Sequence, residues 1–114
     1  MQSISLTLKK EDETILEEQI KGIINGQVIT FIHDEMKHQI DLEKQTFLRE
    51  NDDYSFFLDI MQKKCEITLK KQNNILQVNV KYAIILQNKN EIEISYSIET
   101  QEEMMHLKLV MLGG

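Results

Sequence analysis

Residues 91–98 read Glu-Ile-Glu-Ile-Ser-Tyr-Ser-Ile, a polar/apolar alternation unbroken over eight positions. Successive side chains of a strand point to opposite faces, so Ile92, Ile94, Tyr96 and Ile98 form one apolar face. The same period of two recurs along most of the chain. An all-β, antiparallel fold with little or no helix is therefore expected.

Ile4, Leu6 and Leu8 share one face, and Lys9-Lys10-Glu11-Asp12 reads as a polar turn. Residues 13–21 are ambiguous. Ile15, Leu16 and Ile20 suit a helical turn and its neighbour as well as a strand. Asn25-Gly26 favours the strand, because Asn-Gly is a hairpin signal whose type I′ turn takes positive φ at both central positions. Val28 to Ile32 continues as a strand into His33-Asp34-Glu35. Ile40 and Leu42 alternate with Asp41 and Glu43. Thr46 to Arg49 is a short strand, and Tyr54, Phe56, Leu58 and Ile60 share a face of the next. Cys65, Ile67 and Leu69 follow. Residues 75–86 form the longest strand, with Leu76, Val78, Val80, Tyr82, Ile84 and Leu86 on one side. Ala83 and Ile85 make the opposite side apolar too, which calls for a covering element or a second chain. Met105, Leu107, Leu109 and Met111 form the last face. About 8–10 strands at this spacing suit a sandwich or barrel. Short connections make neighbours in sequence neighbours in space. A closed or nearly closed up-and-down barrel is the expected architecture, since closure removes exposed edges.

The 114 residues make one domain, 1–114, and at 41% hydrophobic they can fill a core. No apolar run approaches the ~18 residues that span a bilayer. The start, Met1-Gln2-Ser3-Ile4, lacks the basic and apolar pattern of a secretory leader. One cysteine, Cys65, excludes an internal disulfide and fits a reducing compartment. A cytoplasmic protein without membrane association is expected. The net charge of −6 disfavours nucleic acid, which needs a basic surface.

The segment from about residue 13 to 112 resembles the YwiB-like proteins, a bacterial family of unknown function. The likeness rests on ordered features: Ile32-His33-Asp34-Glu35 closing a strand, Phe47-Leu48-Arg49-Glu50-Asn51, the aromatic strand Tyr54 to Leu58, and the long strand 75–86 followed by Ile92 to Ile98. Where that family usually has a glycine-rich stretch, this chain has Gln72-Asn73-Asn74. The resemblance implies a calycin-type barrel like those of lipocalins, and it supplies no catalytic residue.

Candidate chemistry is sparse. His33, Asp34 and Glu35 form the densest polar cluster, with His38 near. On a strand, His33 and Glu35 would share a face and Asp34 would point away, too few convergent ligands for a metal. Arg49 is the only arginine, and its planar fork of donors is something lysine cannot reproduce. Facing inward, it would pair with Asp34 or Glu35 or hold an anionic ligand. Its bland alternative is a surface residue before a turn. Cys65 reads as a small core hydrophobe, and His106 faces away from Met105 and Leu107. Tyr54, Tyr82 and Tyr96 fall on inner faces, where each hydroxyl needs a partner or a wet cavity. Gly113-Gly114 resembles the tail of ubiquitin-like sulfur carriers, but the chain is too strand-rich for that fold.

The expected function is a non-enzymatic module binding a small apolar or weakly polar ligand, contacted by Arg49, Tyr54, Tyr82, Ile94 and Tyr96, with no metal or cofactor. The alternative is a structural or interaction module with a filled core, for which a homodimer is the natural partner. An enzyme would have to assemble His33, Glu35 and Arg49 across strands.

Overall fold

The computed structural model describes residues 1–113. Its ten strands are β1 (Gln2–Lys10), β2 (Glu13–Asn25), β3 (Val28–His33), β4 (Met36–Asp41), β5 (Thr46–Glu50), β6 (Tyr54–Asp59), β7 (Lys64–Leu69), β8 (Asn74–Gln87), β9 (Glu91–Ile98) and β10 (Met105–Gly113). Each pairs antiparallel with its neighbours in sequence, and β1 pairs with β10 to close the barrel. A short 3-10 turn, Lys70–Gln72, joins β7 to β8. The ambiguous stretch 13–21 is strand. Among the described residues no helix is long and apolar enough to cross a membrane. Of the terminal glycine pair, Gly113 ends β10 and Gly114 lies outside the described residues.

Two long strands turn the corners of the barrel. β2 pairs with β1 along Glu13–Gly22 and with β3 only along Gly22–Asn25. Gly22 is the hinge of that exchange. A Cβ there would lie 2.6 Å from Ile4 Cδ1 and 3.1 Å from the Thr30 carbonyl oxygen, so the close approach of three strands requires glycine. β8 pairs with β7 along Asn74–Asn79 and with β9 along Val80–Gln87. A bulge at Lys81, between Val80 and Tyr82, separates the two halves.

That bulge corrects the expected face of β8. An extra residue reverses the alternation beyond it. Val78 and Val80 face the core before it, and Ala83 and Ile85 pack against the core after it. Tyr82 and Leu86, at 42% and 57% exposure, are on the outside. The apolar pair Ala83 and Ile85 is therefore covered by this chain's own core. Tyr82 is not on the inner face.

Two turns also differ from expectation. In the first of them, the β2–β3 hairpin, Asn25 pairs with Val28, so the central residues are Gly26 and Gln27. Only Gly26 has positive φ (62°), the pattern of a type II′ turn. In the second, His33 pairs with Met36, and Asp34 (φ 53°) and Glu35 (φ 62°) are both central residues of a type I′ turn. His33 and Glu35 therefore do not share a strand face.

The core runs through the barrel as Ile4, Leu6, Ile29, Phe31, Ile40, Phe47, Phe56, Leu58, Ile60, Cys65, Ile92, Ile94, Tyr96, Ile98, Leu107 and Leu109. Turns after the odd-numbered strands gather at one end and those after even-numbered strands at the other. Backbone bonds join the turns of the second end, around a hollow of about 200 Å³. The Leu42 amide donates to the Gln27 carbonyl (2.8 Å), Ile60 to Gln45 (2.9 Å) and Met111 to Asn90 (2.8 Å). At the first end Lys70 donates to Asp53 (2.9 Å), Glu11 to Met104 (2.7 Å) and Glu99 to Asn79 (2.9 Å). The aromatic and polar interior residues lie toward this first end.

Candidate functional site

Arg49 is placed by the period of β5. Phe47 is buried in the core, and two residues on Arg49 shares its inward face. Its cross-strand neighbours are His38 on β4 and Phe56 on β6. The guanidinium carbon stands 5.2 Å from the centre of the Phe56 ring, a cation–π contact. Its Nε is buried and has no hydrogen-bond partner among the described residues.

Three carboxylates of the first end are engaged with other partners. Glu50 is 3.3 Å from Lys70 Nζ, Asp53 is 3.0 Å from Lys71 Nζ, and Glu18 accepts from His33 Nε2 at 2.6 Å. No ion pair among the described residues includes Arg49. The expected pairing with Asp34 or Glu35 does not form, because the type I′ turn carries both beyond the strand end.

An aromatic train lines the wall beside Arg49. The Phe31 and His38 rings stack 4.7 Å apart at 5°, and His38 lies 6.2 Å from Phe47. Phe47 meets Phe56 at 6.2 Å, and Phe56 meets Tyr96 at 5.6 Å. His38, only 7% exposed, has its pKa lowered to about 4. Burial is the main cause and the Arg49 charge adds to it, while donation from Nδ1–H to the Met36 carbonyl (3.2 Å) opposes both. Burial pushes the Cys65 thiol up to about 11, with Arg49 pulling the other way. Burial also raises Tyr96, and Arg49 again opposes. Near neutral pH the interior thus holds one fixed cation among neutral polar groups. None of them is poised as a base or nucleophile at that pH.

The remaining candidates disperse. Tyr54 is half-buried on the inner face of β6 beside this group, and Tyr96 is 6% exposed. Ile94, fully buried between Ile85 and Leu107 on the neighbouring strands, belongs to the packed interior. Tyr82 points outside. His33 sits at the end of β3, 6.4 Å from His38 ring to ring, and bridges to Glu18 where β2 and β3 have parted. Among the described residues no three of His, Cys, Asp and Glu converge as a metal would need.

His38 was legible in the alternation, since it precedes Ile40 by two and so shares its inward face. A second cluster was not singled out. On the outer face of β9 and β10, Ser95 Oγ and His106 Nδ1 are hydrogen-bonded at 2.7 Å, and Glu93 Oε1 lies 3.5 Å from the hydroxyl and 3.8 Å from Nδ1. In a catalytic relay, serine and carboxylate take opposite ring nitrogens of the histidine. Here both crowd the same nitrogen, so the cluster lacks the relay geometry.

Two hollows lie on the outside of the barrel. One of about 390 Å³ follows the parting of β2 from β3 and is walled by Ile20, Gly22, Ile23, Phe31 and Ile32. Another, of about 240 Å³, sits over Thr7, Lys9, Glu93, His106 and Lys108. No family model, curated protein or solved structure matches the chain.

Proposed function

We propose that this chain is a cytoplasmic, non-enzymatic binder of a small, largely apolar ligand whose one weakly polar or anionic group is oriented by Arg49 at the first end of the barrel. The observation that carries the reading is the buried Nε of Arg49, without hydrogen-bond partner or counter-ion. Arg49 as a whole is half-buried, but a buried Nε–H left without an acceptor is costly, and a ligand oxygen would supply one. His38, Tyr54 and Tyr96 offer neutral polar contacts beside it, and Phe56 an apolar wall. The pairing of Glu50 and Asp53 with lysines reduces the repulsion an anion would meet at the rim. The apolar interior and the Lys-, Glu- and Gln-bearing outer faces are the reverse of a membrane barrel, which supports the reading without a membrane. Membership of the YwiB-like family belongs to the same proposal, supported by the up-and-down barrel that the resemblance implies.

The test is calorimetric titration with naphthoate, an apolar ring system bearing one carboxylate, against wild type and Arg49→Met. Hydrogen bonds to a charged group contribute about 1.5–3 kcal/mol, so the variant should bind roughly tenfold or more weakly. Equal affinities in the two proteins would refute the role of Arg49.

A second reading has its own observation. Ile4, Leu6, Ile29, Ile40, Leu58, Ile94 and Leu109 are each at most 2% exposed, so much of the interior is packed solid. A structural module with a filled core follows if neither protein takes up naphthoate or the uncharged naphthalene analogue.

A further inference from the structure

Both long strands outrun a neighbour. β7 begins at Lys64, opposite Asn79, so among the described residues Val80–Gln87 pairs with β9 alone. Glu13–Lys21 of β2 likewise pairs with β1 alone. Alternate residues of an antiparallel strand turn their N–H and C=O groups to each side. Each stretch therefore offers a row of backbone donors and acceptors to another strand.

The two edges are guarded differently. The β2 edge carries Glu13, Glu17, Glu18 and Lys21, and Glu18 is tied across the gap to His33. Charged side chains deter edge pairing. The β8 edge reads Lys81-Tyr82-Ala83-Ile84-Ile85-Leu86-Gln87, with one charge and no proline. Its bulge lies at Lys81, which leaves Tyr82–Gln87 in regular register. Tyr82 and Leu86 are exposed, with Ile84 between them on the same outer face.

We propose that Tyr82–Gln87 is a dimerisation edge, pairing antiparallel with the same segment of a second copy of this chain about a twofold axis at Ile84. Self-complementarity selects that occupant. In this register Tyr82 meets the partner's Leu86, Ala83 meets the partner's Ile85, and Lys81 meets the partner's Gln87. No like charges are opposed, and the apolar strip of Tyr82, Ile84 and Leu86 continues unbroken across the axis. The contact is isologous, so assembly closes at two chains. A single strand pair buries less than the roughly 800 Å² per partner of a standard interface, so association is weak and depends on concentration. The chain's net charge of −6 opposes it, so added salt favours the dimer.

Sedimentation velocity on the intact chain, from low micromolar to near-millimolar concentration, should show a monomer–dimer equilibrium that shifts toward dimer with salt. Leu86→Lys should weaken association roughly tenfold or more while circular dichroism and Tm hold. Mixing Tyr82→Cys chains with Leu86→Cys chains under oxidising conditions should yield the mixed disulfide dimer, which reports the register directly. A monomer throughout the range overturns the proposal. So does a dimer that survives Leu86→Lys but is lost with Ile32→Lys on the opposite, β3 side of the barrel.

Discussion

His38 should make this protein sensitive to mild acid, in a window where few other buried groups titrate. Its ordinary pKa of 6.5 falls to about 4 in the fold. The unfolded chain takes the proton below about pH 6.5 and the folded one resists it, so the unfolded state gains relative stability as pH falls. The stabilisation is whole above pH 6.5, and it is lost between there and pH 4. The full shift corresponds to about 3.4 kcal/mol at 1.36 kcal/mol per unit. The small residual exposure of His38 discounts this to about 2–3 kcal/mol. The assay is urea denaturation at closely spaced pH values between 7 and 4, in wild type and in His38→Phe. Phenylalanine keeps the stack on Phe31 and loses the bond to the Met36 carbonyl, so the variant starts about 1 kcal/mol lower at pH 7. Its stability should then vary less with pH, and the difference between the two curves reports the contribution of His38. Parallel curves across that window would refute the argument. So would an NMR titration of the His38 ring centred near its ordinary value.

Three further outcomes follow from the geometry. Gly22→Ala should cost about 1–3 kcal/mol in urea denaturation, because the Ile4 methyl can rotate away from a new Cβ but the Thr30 carbonyl cannot; an unchanged midpoint would show that the β2 corner has slack. Glu35→Gly should raise stability by about 0.5–1 kcal/mol, since the left-handed second position of a type I′ turn penalises any Cβ, and no contact of Glu35 is lost in exchange; a drop in Tm would contradict the turn assignment. Cys65, buried and with its thiol held at about 11, should react with an aromatic disulfide reagent at pH 8 only as fast as the protein unfolds; a rate like that of a free thiol would contradict its burial.

How much of this was legible in the chain depends on where the period of two holds. From Ile92 to Ile98 it holds, and all four apolar residues are in the core. Along β8 an apolar residue recurs at every second position from Leu76 through Leu86, yet the structure breaks the alternation at Lys81. A bulge adds a residue without any residue type to mark it, and apolar side chains on both sides of the break leave the pattern intact. The clue was Ala83 and Ile85, apolar where polar residues were due. The polar cluster His33-Asp34-Glu35 misled for a related reason. A strand and a two-residue turn are indistinguishable in so short a run, and Asp34 and Glu35 accept left-handed backbone without the glycine that would have signalled it.

Arg49 and the edge of β8 both depart from what a stable closed barrel requires, and they depart in opposite senses. At Arg49 a polar group occupies a core position and lacks a partner there. At Tyr82–Gln87 apolar groups and free backbone occupy a surface position. A chain under no demand but stability would place methionine or leucine at the first and a lysine or glutamate at the second. Each position shows that alternative close by: Phe47 one step away on the inner face of β5, and the glutamates of the β2 edge at the other corner of the barrel. Local rules broken without compensation inside the fold point to compensation from outside it. For Arg49 the missing element is an acceptor that fits beside an aromatic wall. For β8 it is a strand, and a second β8 meets that edge with apolar residues opposite apolar ones and no like charges opposed.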